Sequence, residues 1–298
     1  MLETIKRIKV KIDEWVQSAQ PYLLILFLIA FTACVVISTL WYSESFLPDP
    51  VSALGKKVTP LFTTTTIITV AAFFGTHILL FYFAFAYRNA PARKARYIKG
   101  NRKLEFFWIL IPLVAFLFLF VWGQILWMKM TTPPTENALQ LDVVGSQFSW
   151  RVRYPGDDNV LGRSNFRLIS ANNPMGIDFD DPNSEDDFVP VQMHIPKGMM
   201  VNLSLRSRDV IHSFFIPHLR VKMDAVPGMT TRLHFTATAT TEEMRQRLQD
   251  KSFNYEVACA ELCGRMHFAM KLILVVDEPE QYQQWTDSLK SRITMISR

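Results

Sequence analysis

A chain of 298 residues with 49% hydrophobic residues, formal net charge +5 and mean hydropathy +0.12 is more apolar than soluble chains of this length usually are. Its charge is not a nucleic-acid footprint: residues 1 to 137 hold 14 basic and 7 acidic side chains and 138 to 277 hold 15 and 17, so the excess lies beside the apolar runs.

Residues 1–20 read as an amphipathic arm in which Leu2, Ile5, Ile8, Val10, Ile12 and Trp15 alternate with charges, as an interfacial anchor does. Residues 21–42 contain no charge over 22 positions, enough for a helix to cross about 30 Å of hydrocarbon. Cys34 inside this run reads as a small apolar filler. A basic arm before an apolar run is also how a signal peptide begins, but twenty residues is a long arm for one, so the segment is expected to be retained.

Two further charge-free runs, 61–87 and 105–128 after its opening Glu105, make three expected membrane helices. The basic loop between the second and third, with seven Lys and Arg and no acid, and the basic N-terminal arm both belong on the cytoplasmic side. Everything after about residue 129 is then external. His77 lies well inside the second run, where an ionisable side chain is either functional or bonded to a neighbouring helix.

From Ala138 the pattern changes to short alternating segments, 139–146, 148–154, 191–197, 200–207, 212–217, 231–239, 255–259 and 272–276. Many short strands punctuated by Pro and Gly predict a sandwich or barrel over 138–277. The whole is thus a membrane-anchored α plus all-β chain. An insertion at about 155–189 carries eight acids, read either as a solvated loop or as a docking patch for a basic partner. His194, His218 and His234 fall on or beside strands as packing or surface residues, and 278–298 read as a C-terminal helix.

The densest chemistry is Asn254 to Lys271, where Cys259, Glu261, Cys263, His267 and Met270 fall within twelve residues. Thiolates, imidazole and thioether are the soft set that selects copper. Two cysteines and two histidines could also hold zinc, and a disulfide is the plainest alternative. A second histidine is available at His212 in Asp209-Val-Ile-His-Ser-Phe-Phe-Ile-Pro.

Cys-x-Glu-x-Cys-x-x-x-His-x-x-Met with this distant histidine and Lys222-Met-Asp-Ala-Val-Pro-Gly228 closely resembles subunit II of the haem-copper cytochrome c oxidases, over about residues 61–280. The resemblance implies a cupredoxin-like Greek-key domain with a dinuclear copper centre, CuA. In it Cys259 and Cys263 bridge, His212 and His267 each cap one copper, Met270 and the Glu261 carbonyl bind weakly, and the Glu261 side chain reaches a magnesium ion shared with subunit I. Glu105-x-x-Trp108-x-x-x-Pro112 is similar to the family signature at a proton entry into subunit I, which implies that role for Glu105.

The family's Gln-Trp-x-Trp is Gln147-Phe148-Ser149-Trp150 here, so the electron-entry surface is altered at Phe148 while Trp150 is kept. By this resemblance the chain serves a proton-pumping cytochrome c oxidase. It would take electrons from cytochrome c, or from a membrane-held or complex-bound cytochrome c domain, and work with subunits I and III in a lipid membrane. The first apolar run, 21–42, has no counterpart in the usual two-helix form. A quinol oxidase subunit lacks the ligands kept here, a copper-delivery protein would not need two cysteines and Glu261 in this spacing, and a CuA nitric oxide reductase subunit is opposed mainly by Glu105.

Overall fold

The computed structural model describes residues 2–46, 48–88, 93–94, 96–133 and 138–296; part of the basic loop, 89–92 and 95, lies outside the described residues. The chain divides into two compact units, Met1–Leu47 with Leu61–Phe120, and Pro48–Pro60 with Val121–Arg298.

In the first unit, helix α1 (Leu2–Phe46) runs unbroken for 45 residues. The separate arm and first span read from the sequence are therefore one helix. No glycine interrupts it, and Pro21 removes one backbone donor without ending it. α2 (Gly55–Ala86) lies antiparallel to α1, with Phe31 against Phe73 at 5.9 Å and Tyr22 against Phe85 at 6.5 Å between ring centroids. Threonines are tolerated in this apolar helix because their hydroxyls bond back: Thr65 to Leu61 O at 2.8 Å and Thr69 to Thr65 O at 2.8 Å. His77 bonds back in the same way, its Nδ1 2.7 Å from Phe73 O of its own helix. α3 (Arg102–Thr131) is capped by Asn101, whose Oδ1 accepts from Lys103 N at 3.1 Å and Leu104 N at 3.3 Å.

Among the described residues two helices, α2 and α3, are long and apolar enough to cross a membrane. The expected third span is represented there by a shorter apolar stretch, Tyr22–Ser38, within α1.

The second unit is built on two packed sheets. One has the order β2-β1-β4-β7, from β1 (Leu139–Ser146), β2 (Ser149–Arg153), β4 (Met200–Ser207) and β7 (Thr231–Thr236). The other has the order β3-β9-β8-β5-β6, from β3 (Met193–Pro196), β5 (His212–Ile216), β6 (Val221–Ala225), β8 (Tyr255–Cys259) and β9 (Lys271–Asp277). β1 runs parallel to β4 and β3 to β9, and the remaining pairs are antiparallel.

Alternation decides which side chains meet between the sheets. Val201, Leu203 and Leu205 of β4 and Val221, Met223 and Ala225 of β6 are buried while their neighbours are not. Each large side chain so removed from water contributes roughly 1.5–3 kcal/mol. β1 breaks the alternation because its outer face is covered too: Val144 packs with Met175 and Ile177 of the insertion. The insertion is also fastened from below, where buried Arg153 pairs with Asp187 and donates to Ser184 Oγ at 3.0 Å.

Two elements were not expected. β6 lies in the Lys-Met-Asp-Ala stretch, and α4 (Thr241–Leu248) opens on a full capping box between Thr240 and Glu243. α5 (Pro279–Ile296) lays Trp285 on Tyr154, Phe188 and His194.

Candidate metal centre

The site forms where β5 and β8 lie side by side, with Phe214 opposite Cys259. His212 opens β5 and Cys259 closes β8; the chain then loops out and returns as β9, with Met270 just before it. The loop is pinned at its mouth by Cys259 N–H to Met270 O at 3.1 Å and at its start by Ala260 N–H to Ser213 O at 2.9 Å. Strand pairing therefore brings residues 212 and 259 together, which spacing alone could not do.

The donor atoms form a chain of contacts. His212 Nδ1 lies 3.9 Å from Cys259 Sγ, Cys259 Sγ lies 3.8 Å from Cys263 Sγ, and Cys263 Sγ lies 3.7 Å from His267 Nδ1. Met270 Sδ is 3.8 Å from Cys263 Sγ, and the Glu261 carbonyl oxygen is 3.2 Å from Cys259 Sγ. His212, Cys259, Cys263 and Met270 are buried, His267 is partly buried, and the Glu261 side chain is exposed. His212, Cys259 and Cys263 place one donor each within 4.8 Å of one another; His267 stands outside that group and approaches it through Cys263.

Burial, then the hydrogen bond and charge of Cys259, pushes the Cys263 thiol up to about 11. Two buried sulfurs this close do not both ionise unless a cation offsets them, and a bound soft metal does that. The cysteines are free thiols, not a disulfide. Two thiols with one imidazole nitrogen close to both, a second imidazole beside Cys263 and a thioether make a soft donor set that fits copper.

Two residues that sequence reasoning left without a role support this set. Asp209 Oδ1 is 2.8 Å from His212 Nε2, so the carboxylate holds the ring with Nδ1 toward Cys259. Burial works to raise the Asp209 carboxyl, but hydrogen bonds from Gln147 N–H, His212 and Val210 N–H outweigh it and hold it below the usual range. Gln147 donates its backbone N–H to Asp209 at 2.7 Å and its side-chain Nε2 to Cys263 O at 2.6 Å, tying the β1–β2 turn to both halves of the site.

The signal for Asp209 was its place three residues before His212, but an acid in a loop has no visible partner until the fold supplies one. Gly145 is required where it stands, because a Cβ there would meet Trp150 at 2.8 Å and His212 at 3.1 Å.

The expected entry residues separate. Phe148 is partly exposed on the turn, its ring 3.1 Å from where a Cβ on Gly264 would sit. Trp150 is buried, edge-on to His212 at 5.8 Å and Phe214 at 5.4 Å, so it packs behind the ligand and does not reach the surface. Glu105 lies in the first turn of α3, exposed.

The other histidines are structural. His218 packs edge-on to Phe253 and Tyr255, and its burial lowers its pKa. His194 Nδ1 meets Asp277 at 2.7 Å under Trp285. His234 is partly buried, and that burial lowers its pKa.

Residues 139–277 match the family described as cytochrome c oxidase subunit II, periplasmic domain. An alternative cytochrome c oxidase subunit 2 of Bradyrhizobium diazoefficiens is 34% identical over 226 residues, covering 74% of this chain and 77% of that protein. A cytochrome c oxidase subunit 2 of Thermostichus vulcanus is 27% identical over 285 residues, covering 85% and 83%. The crystal structure of the periplasmic domain of subunit II of a Bradyrhizobium japonicum cytochrome oxidase is 22% identical, covering 53% of this chain and 96% of that one, with a TM-score of 0.35.

Proposed function

We propose, from the premise that the chain belongs to the cytochrome c oxidase subunit II family, that it is the electron-entry subunit of a proton-pumping oxidase. Its relatives are components of an oxidoreductase complex. The reading rests on one observation above the rest: two thiols 3.8 Å apart with an imidazole beside each, His212 Nδ1 3.9 Å from Cys259 Sγ and His267 Nδ1 3.7 Å from Cys263 Sγ. Four donors around one zinc would all lie close to one another, whereas His267 stands outside the group that His212, Cys259 and Cys263 form, so a thiol pair with an imidazole on either side suits two metals better than one.

Bound there, copper would supply a one-electron redox site. The residues of the chain do the rest. Cys259 and Cys263 would hold the coppers through their thiolates, His212 and His267 would each supply an imidazole, and Met270 and the Glu261 carbonyl, which adjoin the thiols, would be weak ligands. Asp209 fixes the His212 tautomer by accepting its Nε2–H. Phe148 offers a π face on the turn that Gln147 ties to the Cys263 carbonyl, a short covalent and hydrogen-bonded route from surface to ligand. Electrons taken from a cytochrome c leave for haem in subunit I, where oxygen is reduced.

The Glu261 carboxylate, exposed in this chain, would be free to hold magnesium at the boundary with subunit I. Glu105 opens a proton path on the cytoplasmic side, subunit III completes the core, and α1 adds a third crossing to α2 and α3, which leaves the copper domain external.

The test is copper analysis and electron paramagnetic resonance of the purified protein. Two coppers per chain and one unpaired electron shared by two nuclei are expected, and Cys263→Ser should abolish that signal because a hydroxyl is a hard ligand. Zinc without copper, or a single-copper spectrum, would sink the reading.

A further inference from the structure

Trp150 has two features that core packing alone leaves unexplained. Its indole N–H is buried and, among the described residues, has no hydrogen-bond partner. A stranded N–H costs stability, and a phenylalanine would serve the same apolar layer without one. Its neighbour across the β1–β2 pair is Gly145, so no side chain stands opposite it there.

The space that Gly145 leaves open is used by two rings. A Cβ on Gly145 would lie 2.8 Å from Trp150 Cζ3 and 3.1 Å from His212 Cδ2, so the indole and the imidazole close over the same bare stretch of backbone. The rings meet edge-on, with centroids 5.8 Å apart and planes at 68°. They come from different sheets, Trp150 from β2 and His212 from β5. Trp150 also meets Phe214 edge-on at 5.4 Å, and Phe214 is the residue opposite Cys259.

His212 is therefore held from three directions. Asp209 Oδ1 takes its Nε2 at 2.8 Å, Cys259 Sγ faces its Nδ1 at 3.9 Å, and the indole of the opposite sheet lies against the ring. His212 is fully buried and Trp150 is 4% exposed, so this part of the site is shut off from water.

We infer that Trp150 is a positioning residue for the copper centre: the indole wedges the His212 ring between the two sheets with Nδ1 toward Cys259, and keeps water from that end of the metal pair. The inference rests on the copper-centre reading. Buried as it is, Trp150 acts on electron entry through the ligand it supports. The oxidised pair carries one more positive charge than the reduced pair, and a dry apolar surround disfavours the more highly charged state, so the wedge raises the reduction potential.

Two substitutions disturb the contact from opposite sides. Trp150→Phe removes the second ring, whereas Gly145→Ala keeps the indole and sets a methyl where both rings close. Leu233→Ala, a buried residue on β7 at the far edge of the same sheet from β2, is the control for a generally loosened sandwich. All are made in the full chain and purified in the oxidase complex. In Trp150→Phe and in Gly145→Ala one of the two imidazole nitrogen couplings seen by electron-nuclear double resonance should change while the other stays. Trp150→Phe should also move the equilibrium with a redox mediator toward the oxidised form, on the order of threefold or more. Leu233→Ala should lower the denaturation midpoint and leave couplings and equilibrium alone.

Wild-type couplings and equilibrium in Trp150→Phe, with only the midpoint lowered, would reduce Trp150 to core packing and overturn the inference. The same spectral change in Leu233→Ala would overturn it too. Where Trp150→Phe does not accumulate folded, Gly145→Ala decides the matter, and unchanged imidazole couplings there are fatal to it. A wild-type complex without dinuclear copper would instead overturn the functional reading beneath it.

Discussion

Asp209 shows what a single side chain contributes beyond the ligand set. It touches no thiol, yet it accepts from both His212 Nε2 and Gln147 N, so it orients the His212 ring and ties the β1–β2 turn to it. Asp209→Asn keeps every ligand but can present an amide nitrogen to His212. Copper affinity should fall about 10- to 100-fold, measured by competition with a chelator, as for carboxylates behind metal-bound histidines elsewhere. An unchanged affinity would remove its orienting role. At Phe148 the expected outcome of Phe148→Trp is a faster reaction with a freely diffusing mitochondrial-type cytochrome c, since indole adds contact area and an N–H. A wild-type rate already at that level would count against a specialised donor.

Among the elements, α4 illustrates local chemistry that was legible but unread. Thr240-Thr-Glu-Glu243 is a capping box in plain sequence, and the structure closes it with Glu243 N–H to Thr240 Oγ1 at 3.1 Å and Thr240 N–H to Glu243 Oε2 at 2.8 Å. Thr240→Ala should destabilise α4 by about 1 kcal/mol, seen as faster hydrogen exchange of its first-turn amides. The hydrogen bond from Lys197, then that from Thr240 N–H, holds the Glu243 carboxyl below its usual range.

A carboxyl depressed on folding contributes stability that is present above its unfolded pKa and lost as pH falls through the lower folded value. α4 protection should therefore weaken on acidification below about pH 4.5, and Glu243→Gln should blunt that dependence; an identical profile in the variant would refute it. β6 escaped notice for another reason. Five residues alternating as Val-Lys-Met-Asp-Ala are too few to declare a strand until β5 pairs with them.

At the scale of the whole molecule, the segment between α1 and α2 belongs to the external unit. Val51 N–H bonds His218 O at 2.9 Å, and Ser52, fully buried, donates to Leu219 O at 2.5 Å and accepts from Gly55 N at 2.8 Å. Ser52→Ala leaves two buried backbone groups without that partner and should cost about 1–3 kcal/mol, read as a lower denaturation midpoint of the external unit. Glu105→Ala is expected to slow turnover of the assembled oxidase and leave the copper spectrum untouched, since proton entry and electron entry are separate sites. Normal turnover in that variant would end the proton-path assignment.

The sequence by itself determined the candidate donors and their order, because Cys259, Glu261, Cys263, His267 and Met270 lie on one short loop where spacing is nearly geometry. It also determined α2 and α3, because a charge-free run of that length has few places to go but lipid. Only the tertiary structure decided the rest. Pairing of β5 with β8 delivered His212 from 47 residues away to Cys259. Packing buried Trp150 and left Phe148 at the surface. Helix continuity merged arm and span into α1. Local pattern fixes what a residue can do, but its partner is chosen by the approach of distant strands, and that is not written in any window of the chain.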